Sequence, residues 1–125
     1  MESLRRIWGS FGPASRGAWE VLRSQTNAWV HLAASVAVVV VGVITHVDAN
    51  EWCLLVLAMG LVWGMESANT ALEKLADAVH PERHRLVGQA KDAAAGGVLF
   101  AAFAAALVGM IILGPKLWGL IVGDS

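Results

Sequence analysis

Apolar residues dominate three long stretches of the chain and predict three membrane helices. A helix that crosses the hydrocarbon core of a bilayer needs about 20 residues. We predict membrane helices over about 28–46, 51–79 and 91–122, the first of them short enough to need its flanking residues. Together with the segment before them they form one all-α integral membrane domain that comprises residues 1–125.

Residues 1–27 are mixed in character and predict a helix on the membrane surface. Apolar side chains recur here at the spacing of one helix face: Leu4, Ile7, Trp8 and Phe11. Arginines stand between them, which is typical of an amphipathic helix lying in the membrane interface. The alternative is an ordinary soluble amphipathic helix. Gly12-Pro13 predicts a break, followed by a second short helix from Ser15 to about Ser24.

Two polar segments separate the predicted spans. HVDAN (46–50) predicts a tight turn, and HPERHRLVG (80–88) predicts a loop. Pro81 predicts the end of the second span, because proline cannot continue a helix and restricts the residue before it.

Basic residues give the chain a predicted orientation. They stand before the first span and around the second loop, at Arg5, Arg6, Arg16, Arg23, Arg83, Arg85 and Lys91, whereas the first turn has none. Cytoplasmic loops of membrane proteins carry the excess of Lys and Arg. We therefore expect a multi-pass membrane protein with a cytoplasmic N-terminus and a cytoplasmic 80–92 loop.

Composition and charge agree with a membrane protein and exclude one class of partner. The chain is 57% hydrophobic, and its net charge of −1 offers no electrostatic basis for binding nucleic acid. Cys53 is the single cysteine, so an intrachain disulfide cannot form. We expect it to be a buried free thiol.

A row of polar residues interrupts the second span in LVWGMESANTALEKLADAV (61–79). Glu66, Asn69, Glu73 and Asp77 follow one another at steps of three, four and four residues. Such steps keep the side chains within roughly an 80° arc of a helix. Ionisable residues inside a membrane are costly and are therefore candidates for function. The alternative is an interior acid that a neighbouring helix holds for packing alone.

Several acids on one face need a cation, and carboxylate and amide oxygens suit a divalent one. Mg²⁺ usually takes one or two carboxylates together with substrate phosphates, so a nucleotide site would fit. Lys91 offers a cation for phosphate, or is only a charge at the membrane edge. Asp92 beside it is a second acid, or only an N-cap or first-turn residue of the third span.

Other chemistries find no support in the sequence. The chain has neither a P-loop nor a G-x-G-x-x-G motif, and it has no HExxH motif. The histidines lack the spacing of zinc ligands, and we interpret all four as structural or surface residues: His31, His46, His80 and His84.

The segment MESANTALEKLADAVHPERHRLVGQAKDAAAGG carries the pattern E-x-x-N-x-x-x-E-x-x-x-D, a short loop, and A-K-D-x-x-x-[AG]-[AG]. This long pattern resembles the small prokaryotic diacylglycerol kinase and undecaprenol kinase family. In the N-terminal part of the chain, the family's sequence pattern is also matched by Gly17, Asn27 and His31. The resemblance covers nearly the whole chain.

The resemblance implies an enzyme with three spans that assembles as a homotrimer in the cytoplasmic (inner) membrane of a prokaryote. It implies transfer of the γ-phosphate of ATP, with Mg²⁺, to a lipid hydroxyl. Glu66 would be the catalytic base, Glu73 a metal ligand and Asp77 a supporting polar contact. The nucleotide-binding residues would be Lys91, Asp92, Asn69, Arg6 and Ser15, the last two being the weaker candidates.

One position departs from the family pattern. Eight residues after Gly17 the family usually has a glutamate that joins the metal site, whereas this chain has Gln25. An amide oxygen can coordinate a metal but brings no charge, so we predict weaker metal binding and low activity. The substitution is either natural divergence or an engineered change. Compensation by Glu20 is disfavoured, because it stands about 140° around the helix from Gln25.

Three functional hypotheses result. The first is a lipid kinase, with undecaprenol slightly favoured over diacylglycerol because of the segment QTN, His31 and the PKLW tail. The second is a non-enzymatic oligomer that forms a cation or proton path lined by Glu66, Glu73 and Asp77. The third is a kinase-like protein that Gln25 has weakened.

Overall fold

Four helices make up the chain in a computed structural model that describes residues 1–24 and 26–123, with Thr26 described by its backbone only. They are α1 (Glu2–Ser24), α2 (Thr26–Ile44), α3 (Ala49–Val79) and α4 (Arg85–Val122). The described residues contain no strand. The predicted all-α class is therefore confirmed, with one helix preceding three longer apolar ones.

The helices α2, α3 and α4 are each long and apolar enough to cross a membrane. Most of their bounds lie within two residues of the prediction, but α4 begins at Arg85, and the prediction of 91 was wrong. His84 is the reason, because its Nδ1 accepts a hydrogen bond from the Leu86 amide at 3.1 Å and caps the helix six residues earlier. The end of α3 before Pro81 is as predicted.

The helix α1 is continuous, and the predicted break at Gly12-Pro13 was wrong. Proline lacks one backbone N–H and crowds the carbonyl four residues before it, but it affects only that turn. The residues around Pro13 are exposed, so the freed carbonyl is open to solvent. The apolar stripe predicted on this helix is present and exposed, with Trp8 and Phe11 in ring contact at 5.7 Å.

A tight turn joins α2 to α3. His46 adopts a left-handed φ of 55°, and Asp48 caps α3 by accepting from the Glu51 amide at 2.8 Å while Glu51 accepts from the Asp48 amide at 3.0 Å. Gly42 packs against the Trp52 ring, where a Cβ would come within 2.6 Å of the indole. A larger residue at Gly42 would therefore force the turn apart.

The bundle has two ends, which we name the turn end (residues 45–48) and the loop end (residues 80–84). At the turn end, Lys116 of α4 lies 3.4 Å from Glu51. A small apolar cluster closes this end and comprises Val47, Leu55, Ile112 and Leu113. The helix α3 has 31 residues and is about 46 Å long, which exceeds the roughly 30 Å hydrocarbon core.

Cys53 corrects another expectation. It is a free thiol, as predicted, but it is exposed on α3 and not buried. The packed face of α3 carries Trp52 and Leu55, and Cys53 stands about 100° around the helix from Trp52. Its side chain therefore points away from the bundle.

Candidate active site

Glu66 is an almost completely buried carboxylate, with a side chain that is 3% exposed. Its Oε1 lies 3.1 Å from Nε2 of His31, which α2 contributes. The His31 ring stands edge-on to Trp63, whose indole N–H donates to the hydroxyl of Ser35 at 3.1 Å. A buried acid needs a polar partner, and His31 provides it. The interpretation of His31 as merely structural therefore missed its contact with the predicted base.

Two further buried polar side chains follow Glu66 on α3. Asn69 is 7% exposed and Thr70 is 4% exposed. Within the described part of the chain, neither Oδ1 of Asn69 nor Oγ1 of Thr70 has a hydrogen-bond partner. Buried polar atoms are nearly always satisfied, so these two indicate a place where a ligand supplies the missing donor or metal. The sequence pattern had singled out Asn69 but not Thr70.

Asp77 forms an ion pair with Lys91 between α3 and α4. The Lys91 ammonium lies 2.5 Å from Oδ1 of Asp77, which is 65% exposed. Glu73, one turn closer to Glu66, also attracts this ammonium electrostatically. Lys91 is therefore held among acids at the loop end, beside the predicted polar face. The expected polar contact of Asp77 is this one.

Three predicted nucleotide residues are exposed. Asp92 is exposed within α4, seven residues after Arg85, so its alternative role as an N-cap or first-turn acid was wrong. Arg6 and Ser15 are exposed on α1, where the Ser15 hydroxyl donates to the Phe11 carbonyl at 2.7 Å. Within the described residues, α1 contacts α2 and α3 but not α4. The nucleotide roles of these residues therefore stay predictions.

Glu20 fastens α1 to α3. Its carboxylate accepts from Lys74 of α3 at 2.8 Å and from Arg23 at 2.9 Å. The hydrogen bond from Lys74, followed by that from Arg23, lowers the pKa of Glu20 below its ordinary value of 4.5. The C-terminal part of α1 is thereby held close to the polar face of α3.

The donor set suits a magnesium ion only when phosphate is present. Among the described residues, no three His, Cys, Asp or Glu side chains form a ready metal cluster. Magnesium does not need one, because it takes one or two carboxylates and completes its shell with phosphate and water oxygens. Glu73 and the unpartnered oxygen of Asn69 stand one turn apart on one face and fit that requirement. Gln25, the other predicted metal ligand, lies outside the described residues.

The polar face of α3 thus changes character along its length. Glu66 and Asp77 are eleven residues apart, or about 16 Å along the helix. The first is buried against a histidine of α2, and the second is exposed and paired with a lysine of α4. The face therefore joins a buried carboxylate, in contact with α2, to an exposed carboxylate that pairs with a cation of α4.

Comparison with known proteins shows the family of the chain. Residues 12–113 match the sequence model of the family described as prokaryotic diacylglycerol kinase. Undecaprenol kinase of Bacillus subtilis is 38% identical over 114 residues, which cover 91% of this chain and 93% of that protein.

Diacylglycerol kinases are similar as well. That of Synechocystis is 40% identical over 114 residues, covering 90% of this chain and 65% of that protein. That of Escherichia coli K12 is 36% identical over 103 residues, covering 77% of this chain and 82% of that protein. The chain, with its three apolar helices and its polar face, belongs to the prokaryotic diacylglycerol kinase family of membrane lipid kinases.

Proposed function

We propose that this lipid kinase transfers the γ-phosphate of ATP, with Mg²⁺, to the primary hydroxyl of undecaprenol in preference to diacylglycerol. The observation that carries the proposal is the buried Glu66. It shares one face of α3 with Asp77, which forms an ion pair with Lys91 of α4. The similarity to the undecaprenol kinase of B. subtilis, which extends over 93% of that protein, supports a polyprenol as the acceptor.

Glu66 acts as the general base. The lipid hydroxyl meets its carboxylate, which takes the proton as the hydroxyl oxygen forms a bond to the γ-phosphorus and the bond to the β–γ bridging oxygen breaks. His31 holds the other side of the carboxylate, because its Nε2 contacts Oε1 at 3.1 Å. One carboxylate oxygen is thereby fixed, and the other is left to accept the proton.

The loop end binds the phosphates. Lys91 exchanges part of its contact with Asp77 for phosphate oxygens, and Glu73 together with Asn69 would hold the metal. When bound, Mg²⁺ neutralises charge on the phosphates and orients them for in-line transfer. Phosphoryl transfer depends mainly on positioning and charge neutralisation, which these side chains are placed to provide.

Assembly and orientation belong to the same proposal. The positive-inside pattern supports a cytoplasmic membrane location with the loop end in the cytoplasm, where ATP is available. The homotrimer follows from the family resemblance. A cation path is disfavoured, because Asp77 is paired with a lysine and Glu66 with a histidine, so neither acid is free to pass ions.

Phosphate transfer from labelled ATP tests the proposal in mixed micelles that contain Mg²⁺ and either undecaprenol or diacylglycerol. The same assay is run on Glu66→Gln and on Gln25→Glu. We expect faster turnover with undecaprenol than with diacylglycerol, and loss of turnover in Glu66→Gln. In Gln25→Glu we expect higher turnover and a lower Mg²⁺ concentration for half-maximal turnover.

The outcomes separate the hypotheses. Turnover with diacylglycerol alone would retain the kinase and overturn the lipid preference. No transfer to either lipid, even in Gln25→Glu, would overturn the kinase function for these acceptors. No gain in Gln25→Glu would show that Gln25 does not weaken the enzyme.

A further inference from the structure

We infer that the first part of one hydrocarbon chain of the lipid substrate lies in a half-open apolar slot that α2, α3 and α4 line, one turn below Glu66. The slot has a volume of about 430 Å³, within the range of roughly 300–1,000 Å³ typical of ligand sites. The inference rests on the proposed function, because it places the reacting hydroxyl at Glu66.

The slot and the candidate base share one face of α3. Four residues of α3 line the slot, at positions 4, 7, 8 and 11 before Glu66: Val62, Met59, Ala58 and Leu55. These intervals return to the same side of a helix. Glu66 therefore stands one turn above the uppermost α3 residue of the slot.

His31 joins the slot to the reacting centre. It lines the slot and also contacts Oε1 of Glu66 at 3.1 Å. The one other polar side chain of the lining is Ser35, whose hydroxyl already donates to the His31 carbonyl at 2.7 Å and accepts from Trp63. Below His31 the slot therefore offers no free polar group, so its occupant is hydrocarbon with its polar head at Glu66.

The slot extends from below Glu66 toward the turn end. Leu55 and Leu113 line its lower part and also belong to the apolar cluster that closes the turn end. Glu66 and Leu55 are eleven residues apart, or about 16 Å along α3. This is about half of the roughly 30 Å hydrocarbon core. A chain with its polar head at Glu66 is therefore accommodated over about this depth.

Small residues on α4 keep the slot open. Its wall on α4 consists of Ala102, Ala105, Ala106 and, one turn deeper than Ala105, Gly109. A Cβ added at Gly109 would meet no atom within 4 Å. These residues leave room for part of one chain. A polyprenol places the first part of its chain in the slot and leaves the rest in the bilayer, whereas diacylglycerol places part of one of its two chains there.

A matched pair of substitutions tests the inference. Ala105→Leu puts a larger side chain into the slot, whereas Ala104→Leu makes the same change at the neighbouring exposed position of α4. We expect Ala105→Leu to lower kcat/KM for undecaprenol by about tenfold or more, because a shaped apolar site rejects added bulk. We expect Ala104→Leu to stay within about twofold of the unmodified enzyme, and the KM for ATP to be unchanged in both.

Gly109→Leu obstructs the slot one turn deeper and keeps the test valid if Ala105→Leu fails to fold. We expect this variant to have a lower kcat/KM for undecaprenol than the unmodified enzyme. Its kcat/KM for shorter prenols, whose chains end above residue 109, should be unchanged. Size-exclusion elution and thermal unfolding in detergent establish that each variant is folded.

The inference and the proposed function can fail separately. If the unmodified enzyme phosphorylates undecaprenol while folded Ala105→Leu and Gly109→Leu behave like Ala104→Leu, the slot does not hold the chain and the kinase function stands. If the unmodified enzyme phosphorylates no lipid alcohol, both are overturned.

Discussion

Glu66 and Asp77 are acids on the same face of one helix, yet their surroundings are opposite. Glu66 is 3% exposed and contacts His31, whereas Asp77 is 65% exposed and contacts Lys91. The partner of the first comes from α2, and the partner of the second comes from α4. Two carboxylates on one helix face thus differ in their surroundings because of their depth and because of the helix that faces each of them.

Under the proposed function, this difference separates proton transfer from phosphate binding. The buried carboxylate of Glu66 would meet the lipid hydroxyl. The exposed carboxylate of Asp77 would hold Lys91 until phosphate binds. Substitutions at the two positions should therefore differ in size and in the kinetic constant that they change.

The largest effect is expected from substitution of the buried Glu66. Glu66→Gln keeps the size of the side chain but removes the base, so kcat should fall by about 10²–10⁴-fold. Asp77→Asn is the matched substitution of the exposed acid. It should lower kcat by no more than about tenfold and should mainly raise the KM for ATP. Steady-state kinetics with undecaprenol measures both. Equal losses in the two variants would contradict the division of roles.

Lys91→Ala should have the next largest effect. It removes the cation that neutralises phosphate charge, and kcat/KM for ATP should fall by about 10²–10³-fold. Lys91→Arg keeps the charge with a different geometry and should recover part of the loss. Titration of ATP at saturating lipid is the measurement. An unchanged kcat/KM for ATP in folded Lys91→Ala would make the pair with Asp77 a purely structural contact.

His31→Ala should have a moderate effect. It leaves the buried Glu66 without its partner, and we expect kcat to fall by about tenfold and stability by about 1–3 kcal/mol. His31→Gln retains a side-chain donor and should recover kcat more fully. A role in stability alone would lower the unfolding temperature of His31→Ala and leave kcat per folded enzyme unchanged.

The smallest effect is expected where α1 joins α3. The pKa of Glu20 is lowered in the folded chain, so its pairing with Lys74 and Arg23 stabilises the fold above the ordinary pKa of 4.5. This contribution is lost as the pH falls through the lowered pKa. The difference in unfolding temperature between the unmodified chain and Glu20→Gln should therefore be largest at neutral pH and vanish in acid. A difference that grows in acid would reverse the assigned sign.

The sequence predicted the parts of the site that follow from helical spacing. The common face of Glu66, Asn69, Glu73 and Asp77 depends only on the repeat of one helix. The end of α3 at Pro81 and the turn at 46–50 likewise depend on local chemistry. These features are present as predicted.

Contacts between helices could not be predicted in the same way. His31 precedes Glu66 by 35 residues, and no spacing rule shows which face of α2 meets α3. Its pairing with Glu66 depends on how the bundle packs. The unpartnered oxygen of Thr70 is also a tertiary property, since an isolated threonine in an apolar helix has no distinguishing pattern.

Two predictions from local sequence patterns were wrong, at Pro13 and at the start of α4. Pro13 predicted a break, but α1 continues because one lost hydrogen bond at an exposed position does not end a helix. The 80–88 loop was predicted too long, because the capping ability of His84 was not considered.

The length of α3 has a consequence for the kind of catalyst that this protein is. Counted from Ala49 at the turn end, Glu66 lies about 26 Å along the helix and Asp77 about 42 Å, on either side of the roughly 30 Å thickness of the hydrocarbon core. Under the proposed function, one reactant dissolves in the bilayer and the other in water. A helix that crosses the boundary between them lets each reactant stay in its own phase while their reactive ends meet, so the reaction takes place at the interface.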